Sequence, residues 1–391
     1  LANSTLNPAI ENVREEVINW RRHLHQNPEL SYHEEKTSKF VYETLLSFGN
    51  LEVSRPTKYS VMARLVGSQP GKILAIRADM DALPIQEETD IEFKSKNPGV
   101  MHACGHDGHT AMLLGAAKIL SEVKEDIKGE VRFFFQHAEE HFPGGAQEMV
   151  DAGVMDGVNM VIGAHLMSDL DVGKIGVVYG PMMASTHAFW ITVKGKGGHG
   201  GMPHETIDSI AIGAQVVTNL QHVVARNTDP LDQVVLSIGK FVGGEAGNVI
   251  ANSVEITGTV RSFDVKYREI MPDLVERVVK GVTEAHGADY DLKYICGYLP
   301  VVNDEEVTKI IEDTARELYG EEGLDFPKPK MGAEDFSAYQ QKAPGAFFMI
   351  GTRNEDKGIV FPHHHPKFDI DEDSLEYGVN MFVNAVFNYL K

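Results

Sequence analysis

Cysteine is scarce: the 391 residues contain two, Cys104 and Cys296, far apart in the chain. That count and spacing argue against a structural disulfide, and a reducing compartment, the cytoplasm, is the expected location. Positive charge is also short. Thirty-six lysines and arginines stand against 57 aspartates and glutamates, a formal net charge of −21. No basic stripe is available for a phosphate backbone, so a nucleic-acid partner is not expected. No stretch approaches the ~20 consecutive apolar residues that cross a bilayer, so no membrane partner is expected either. The first twelve residues are polar and lack the basic-then-apolar pattern of a secretion signal. The chain opens on Leu1 rather than methionine, so it reads as a processed or shortened product. Repeats and low-complexity tracts are absent. What remains is a compact, enzyme-like chain of two-domain length.

Against this background one segment is unusually dense in metal-competent groups. The run Met101-His102-Ala103-Cys104-Gly105-His106-Asp107-Gly108-His109 places a thiol, imidazoles and a carboxylate in consecutive positions. Cys104 and His106 alternate around a glycine, so both can point the same way from an extended or turning backbone. A solvated polar loop is the bland alternative. Further on, residues 131–135 form an apolar run that reads as a buried parallel strand and opens onto Glu139 and Glu140. Adjacent carboxylates without a cationic neighbour repel each other unless something positive lies between them. Residues 159–164 form another apolar run, ending in His165. Residues 73–78 run into the alternating pair Asp79 and Asp81, and a proline-bounded loop carries His363, His364 and His365. Each histidine alone has an even-handed reading as a core or surface imidazole. Together, strand ends bearing such groups argue for one metal site along a sheet edge.

The rest of the pattern sets the expected frame. Residues 9–48 read as two amphipathic helices broken at Asn27-Pro28. From residue 61 to 180 strands alternate with helical segments, which predicts an α/β unit with a mostly parallel sheet flanked by helices. At about Pro181 the style changes. Strands are expected at 187–194, 233–239, 253–263 and 290–295, with helices at 208–224 and 267–286. The order strand, helix, strand, strand, helix, strand is that of a ferredoxin-like α+β unit. The expected domains are therefore 1–183 and 296–391 as two parts of a catalytic domain, and 184–295 as an insertion. The glycine-rich run 195–201 lacks the spacing of a phosphate cradle.

These residues carry a resemblance. Residues 101–109, His137–Glu140 with Gly144-Gly145, Gly198-His199-Gly200, Gly332-Ala333-Glu334-Asp335-Phe336 and His364-His365-Pro366 resemble the dinuclear-metal aminoacylase and carboxypeptidase family. The nearest branch looks like the N-acyl-amino-acid amidohydrolases, with hippurate and auxin-conjugate hydrolases. The likeness spans nearly the whole chain, and the motifs keep the family's order. It implies Cys104, His106, Glu140, His165 and His364 as ligands of two divalent metal ions. Manganese or zinc is expected, with nickel or cobalt as alternatives. It implies Glu139 as the catalytic carboxylate and Asp81 as an acidic residue that orients a ligand. His199 matches a histidine that relatives bring into a partner subunit's active site, which implies a homodimer through the inserted domain. Asn248 and Arg261 fall where the family tends to hold the substrate carboxylate. The broader family has a His-x-Asp strand end and a bridging aspartate; here Asp79-Met80-Asp81 and the Cys104/His106 pair stand instead, which leaves the bridging ligand open.

The implied reaction is hydrolysis of the amide bond of small N-acyl-L-amino acids by a metal-bridged water, with Glu139 as general base. A dipeptidase or carboxypeptidase on the same site is the alternative enzyme. A catalytically silent binding relative is the remote third reading, and the extra carboxylate at Glu139 speaks against it.

Overall fold

The computed structural model describes residues 3–390. The chain divides into two compact units. One comprises Leu1–Met182, Val302–Pro329 and Asp335–Lys391; the other comprises Met183–Val301 and Lys330–Glu334.

The first unit is built on an eight-stranded sheet. Its order is Glu52–Ser54, Val61–Val66, Lys128–Gln136, Gln69–Asp79, Met160–Asp171, Gly345–Arg353, Ile175–Gly176 and Leu324–Asp325. The four long central strands pair in parallel. They are buried on both faces: residues 74–79 and 129–136 show no alternation of exposed side chains. That explains why they read as continuous apolar runs rather than period-two patterns. Because these strands run the same way, the segments that follow them emerge at one edge of the sheet.

Helices flank the sheet. His106–Glu122 packs against both Asn3–Gln26 and Asp373–Tyr389, and nearly all of its side chains are buried. Close approach is possible because a Cβ at Gly115 would lie 2.7 Å from Val17 and 3.0 Å from Val379. The N-terminal segment forms the two expected helices, Asn3–Gln26 and Glu35–Ser47. The helix that follows the metal-competent run begins inside it, at His106. Gly105 precedes it at φ 92, a left-handed turn that puts Cys104 in the loop and His106 in the first helical turn.

The second unit has a four-stranded antiparallel sheet in the order Val234–Gly243, Ser253–Ser262, Ser185–Lys194 and Asp289–Cys296. Helices Ser209–Asn227 and Lys266–Ala285 pack on each other and on this sheet. Chain order and spatial order together are ferredoxin-like. Phe189, Ile191, Val193, Val254 and Ile256 from the strands meet Ile212, Val216, Leu220, Met271 and Val275 from the helices in its own core. The strand expected to end at Gly239 runs on to Gly243, with a register shift between Ile238 and Lys240 that bends it. Among the described residues, no helix is long and apolar enough to cross a membrane.

Candidate metal centre

At the shared strand edge of the first unit, the candidate ligands come together. Cys104, His106 and His165 can converge on one point; so can Cys104, Glu140 and His364, and also His106, Glu139 and Glu140. Within each group the ligand atoms lie within 4.8 Å of one another. Cys104 is common to the first two groups. Its Sγ is 3.4 Å from His165 Nε2, and His364 Nε2 is 3.1 Å from Glu140 Oε1. His364 reaches this place with φ 64, in the left-handed region that residues with a side chain rarely adopt.

Hydrogen bonds on the far side of the His165 and His106 rings fix which nitrogen each presents. His165 Nδ1–H donates to Leu166 O at 2.8 Å, so Nε2 turns its lone pair toward Cys104. His106 Nδ1–H donates to Asp81 O at 2.9 Å, with Asp81 Oδ1 at 3.2 Å. His106 Nε2 is buried and has no hydrogen-bond partner among the described residues. Glu139 Oε2 lies 3.9 Å from it. Asp81 also accepts from the Ser31 hydroxyl at 2.7 Å and from Glu140 N–H at 3.0 Å. It thus ties a candidate ligand ring to the backbone beside the carboxylate pair, and the structure brings Asp81 into direct contact with both.

The other groups of the nine-residue run do different work. His109 Nδ1–H donates to Asp79 Oδ1 at 2.6 Å, and its Nε2 accepts Leu166 N–H at 2.9 Å, so both nitrogens are engaged. Asp107 faces away, accepting from Arg21 at 3.0 Å and His25 at 2.8 Å. His102 is buried, and desolvation lowers its pKa to about 4, so the ring is neutral. In the triple-histidine loop, His363 Nε2–H donates to Leu166 O at 2.8 Å and Nδ1 accepts from Ser168 at 3.0 Å. His365 Nδ1 accepts Lys367 N–H at 3.0 Å. Beneath the site, Arg77 donates to Asp79, Gln136 and Asp335, all buried.

The electrostatics suit a cation. Burial opposes charge on His106, but Asp79, Asp81 and Glu140 outweigh it and raise its pKa to about 10. Burial pushes the Cys104 thiol well up, with the charges of Glu140, Glu139 and Asp79 adding to it. A thiol so placed ionises only against a positive charge. Burial would raise the Asp81 carboxyl, yet the His106 hydrogen bond and charge, Ser31 and the Glu140 N–H hold it below its ordinary value. Sulfur, imidazole and carboxylate donors in overlapping groups, with a buried nitrogen that lacks a partner, fit divalent metal.

The three remaining candidates are in the second unit. His199 pairs with Val249 in a two-stranded ribbon, and Gly200 N–H donates to Asn248 O at 2.8 Å, so His199 and Asn248 are neighbours. His199 Nδ1 accepts Gly201 N–H at 3.0 Å, which leaves the proton on Nε2. Arg261 stands on a different sheet, in the strand Ser253–Ser262. It is half-buried and donates to the Thr186 hydroxyl.

Residues 75–388 match the model of peptidase family M20/M25/M40. The chain belongs to that family. An N-acyl-L-amino acid amidohydrolase of Geobacillus stearothermophilus is 67% identical over 297 residues, 76% of this chain and 80% of that protein. Thermostable carboxypeptidase 2 of Saccharolobus solfataricus is 45% identical over 375 residues, 94% of each chain. Among solved structures, the Bacillus subtilis YXEP protein, a dinuclear metal-binding peptidase of the M20 family, superposes with a TM-score of 0.84. It is 37% identical, with 97% of this chain and 99% of that one covered. The resemblance read from the motifs, the α/β architecture and the character of a metal-dependent hydrolase of amide bonds all agree with this M20 membership.

Some residues around the M20 centre carry no mark in the sequence. Ser31 and Glu34 fall in the polar stretch between two helices and look like solvated or capping groups. Asp79 sits in the alternating pair with Asp81 but turns to His109 and Arg77 instead of His106 Nδ1. Only the strand ending beneath both aspartates hints at it.

Proposed function

We propose that this chain hydrolyses the amide bond of small N-acyl-L-amino acids, using two divalent metal ions. One observation carries the reading: donors of Cys104, His106, Glu140, His165 and His364 gather in overlapping groups beside Glu139. The identity to the Geobacillus amidohydrolase supports the substrate class. Cys104, His106, Glu140, His165 and His364 would hold the two ions between them. Thiolate and imidazole favour zinc by softness, and the carboxylates also suit manganese; nickel and cobalt are the alternatives.

The ions, when bound, supply Lewis acidity that polarises the substrate carbonyl and acidifies water. Glu139 takes a proton from the attacking water and delivers it to the departing amide nitrogen as the C–N bond breaks. The water oxygen ends in the released carboxylic acid, and the amino acid leaves as the free amine. Asp81 holds His106 in the tautomer that presents Nε2. His199 of a partner subunit, in a homodimer formed through the second unit, donates its Nε2–H to the developing oxyanion. Arg261 and Asn248 are proposed to bind the free carboxylate of the substrate, Arg261 by a two-pronged contact. The unpaired cysteines Cys104 and Cys296 support a cytoplasmic setting.

The test is turnover of N-acetyl-L-methionine, hippurate, dipeptides and longer peptides by protein loaded with manganese or zinc, and by the same protein after chelation. Loaded enzyme should release amino acid from the acylated substrates, and chelated enzyme should not. The likeness to a carboxypeptidase favours a second reading. Turnover confined to peptides with a free C-terminus would establish it in place of the first.

A further inference from the structure

We infer that Glu34 is a positioning residue for the general base: its buried side chain locks the backbone at Ala138 and so sets the direction of Glu139. The inference rests on the reading of Glu139 given above.

Ala138 has φ 50, in the left-handed region where a Cβ is strained. Such a conformation persists only where its surroundings over-determine it. Here both of its peptide groups are held. Ala138 N–H donates to Glu34 Oε1 at 2.8 Å, and Ala138 O accepts Gly145 N–H at 3.1 Å. Gly145 cannot be larger, because a Cβ there would come within 1.9 Å of His137 O. One residue past Glu139, Glu140 N–H donates to Asp81 Oδ2 at 3.0 Å. Carboxyl groups therefore grip the backbone on either side of Glu139, one belonging to Glu34 and the other to Asp81.

Both grips lead back to one loop. Ser31 donates to the same Asp81 oxygen, Glu29 O accepts Ala82 N–H, and Tyr32 turns the chain at φ 63 before Glu34. The link between the first two helices thus braces the strand end at Asp81 and the loop at 138–140 together.

Glu34 is fully buried. Its Oε2 has no hydrogen-bond partner among the described residues. Burial, then the charge of Asp81, raises its pKa to about 8. Only an acceptor at that place is required, so an amide can replace it.

The experiment compares Glu34→Ala, Glu34→Leu and Glu34→Gln with the parent, all loaded with manganese. It reads kcat and KM for N-acetyl-L-methionine, bound metal per chain, and φ at residue 138 in crystals. Losing the acceptor should lower kcat 10- to 100-fold, the scale of a small misplacement of a reacting group. KM should stay within threefold, metal content should hold, and φ at 138 should leave the left-handed region. Glu34→Gln should recover most of the kcat. Should Glu34→Ala fail to fold, Glu34→Leu, which fills the space without an acceptor, carries the same test. Parent-like kcat or an unmoved Ala138 in either apolar variant would overturn the inference. So would loss of metal, or a Gln variant as poor as the apolar ones. If the loaded parent turns over no acylated amino acid, the functional reading fails by itself, and the crystals still decide whether Glu34 holds Ala138.

Discussion

Two glutamates side by side, Glu139 and Glu140, have the same chemistry and different neighbours. Glu140 lies against His364, whereas Glu139 lies near His106 Nε2. On the proposed assignment Glu139→Gln should keep its metal and lose 10²- to 10⁴-fold in kcat, the usual worth of a positioned acid–base group. Steady-state kinetics with metal analysis on one preparation checks both parts. The three consecutive histidines differ in the same manner. His363 has both ring nitrogens committed to the protein and His365 accepts from Lys367, so His364→Ala should lower metal content while His363→Ala and His365→Ala retain it. Equal metal loss in all three would break the assignment. Sequence spacing put these histidines in one loop. Which ring turns toward Glu140 depends on the left-handed φ at His364, a property no local pattern reveals.

The helix His106–Glu122 must present His106 at its first turn, and a buried ion network pins that end. Arg21, on the helix Asn3–Gln26, reaches Asp107, Asp369 and Glu372, and His25 lies between Asp107 and Glu87. Burial opposes charge on His25, but hydrogen bonds and charge from Asp107 and Glu87 outweigh it, and its pKa is raised. A raised folded pKa means stability fully present below the unfolded value near ~6.5 and lost as pH climbs through the folded one. The parent should therefore exceed His25→Gln by about 3 kcal/mol at pH 6, a gap that narrows toward pH 9. Urea unfolding across that range measures it, and a gap that widens with pH would contradict the sign. In the second unit, a Cβ at Gly258 would meet the Phe189 ring at 2.3 Å. Gly258→Ala should cost about 1–3 kcal/mol by overpacking, read by the same unfolding method.

At the scale of the molecule, the candidate residues fall in separate compact units, with the metal-competent groups in one and His199, Asn248 and Arg261 in the other. If His199 serves a partner's site, a His199→Ala subunit and a Glu139→Gln subunit each lack a different part. Heterodimers of the two should recover a fraction of parent turnover that neither homodimer shows. Verified heterodimers without recovery would remove His199 from the shared role.

Composition and local pattern alone determined much of this protein. Buried parallel strands announce themselves as unbroken apolar runs, and the ferredoxin-like insert follows from the order of periods along the chain. The Cys104-Gly105-His106 spacing and the Glu139-Glu140 pair mark chemistry because few other roles need those groups so close. Tertiary structure decided the rest. Glu34 with Ala138, Asp79 with His109, Arg77 with Asp335 and Arg21 with Asp107 are partners separated by long stretches of chain. Each is an ordinary polar residue until folding removes water and leaves one acceptor within reach. Hydrogen bonding and desolvation act through distance in space, and sequence periodicity records only which face of an element is dry.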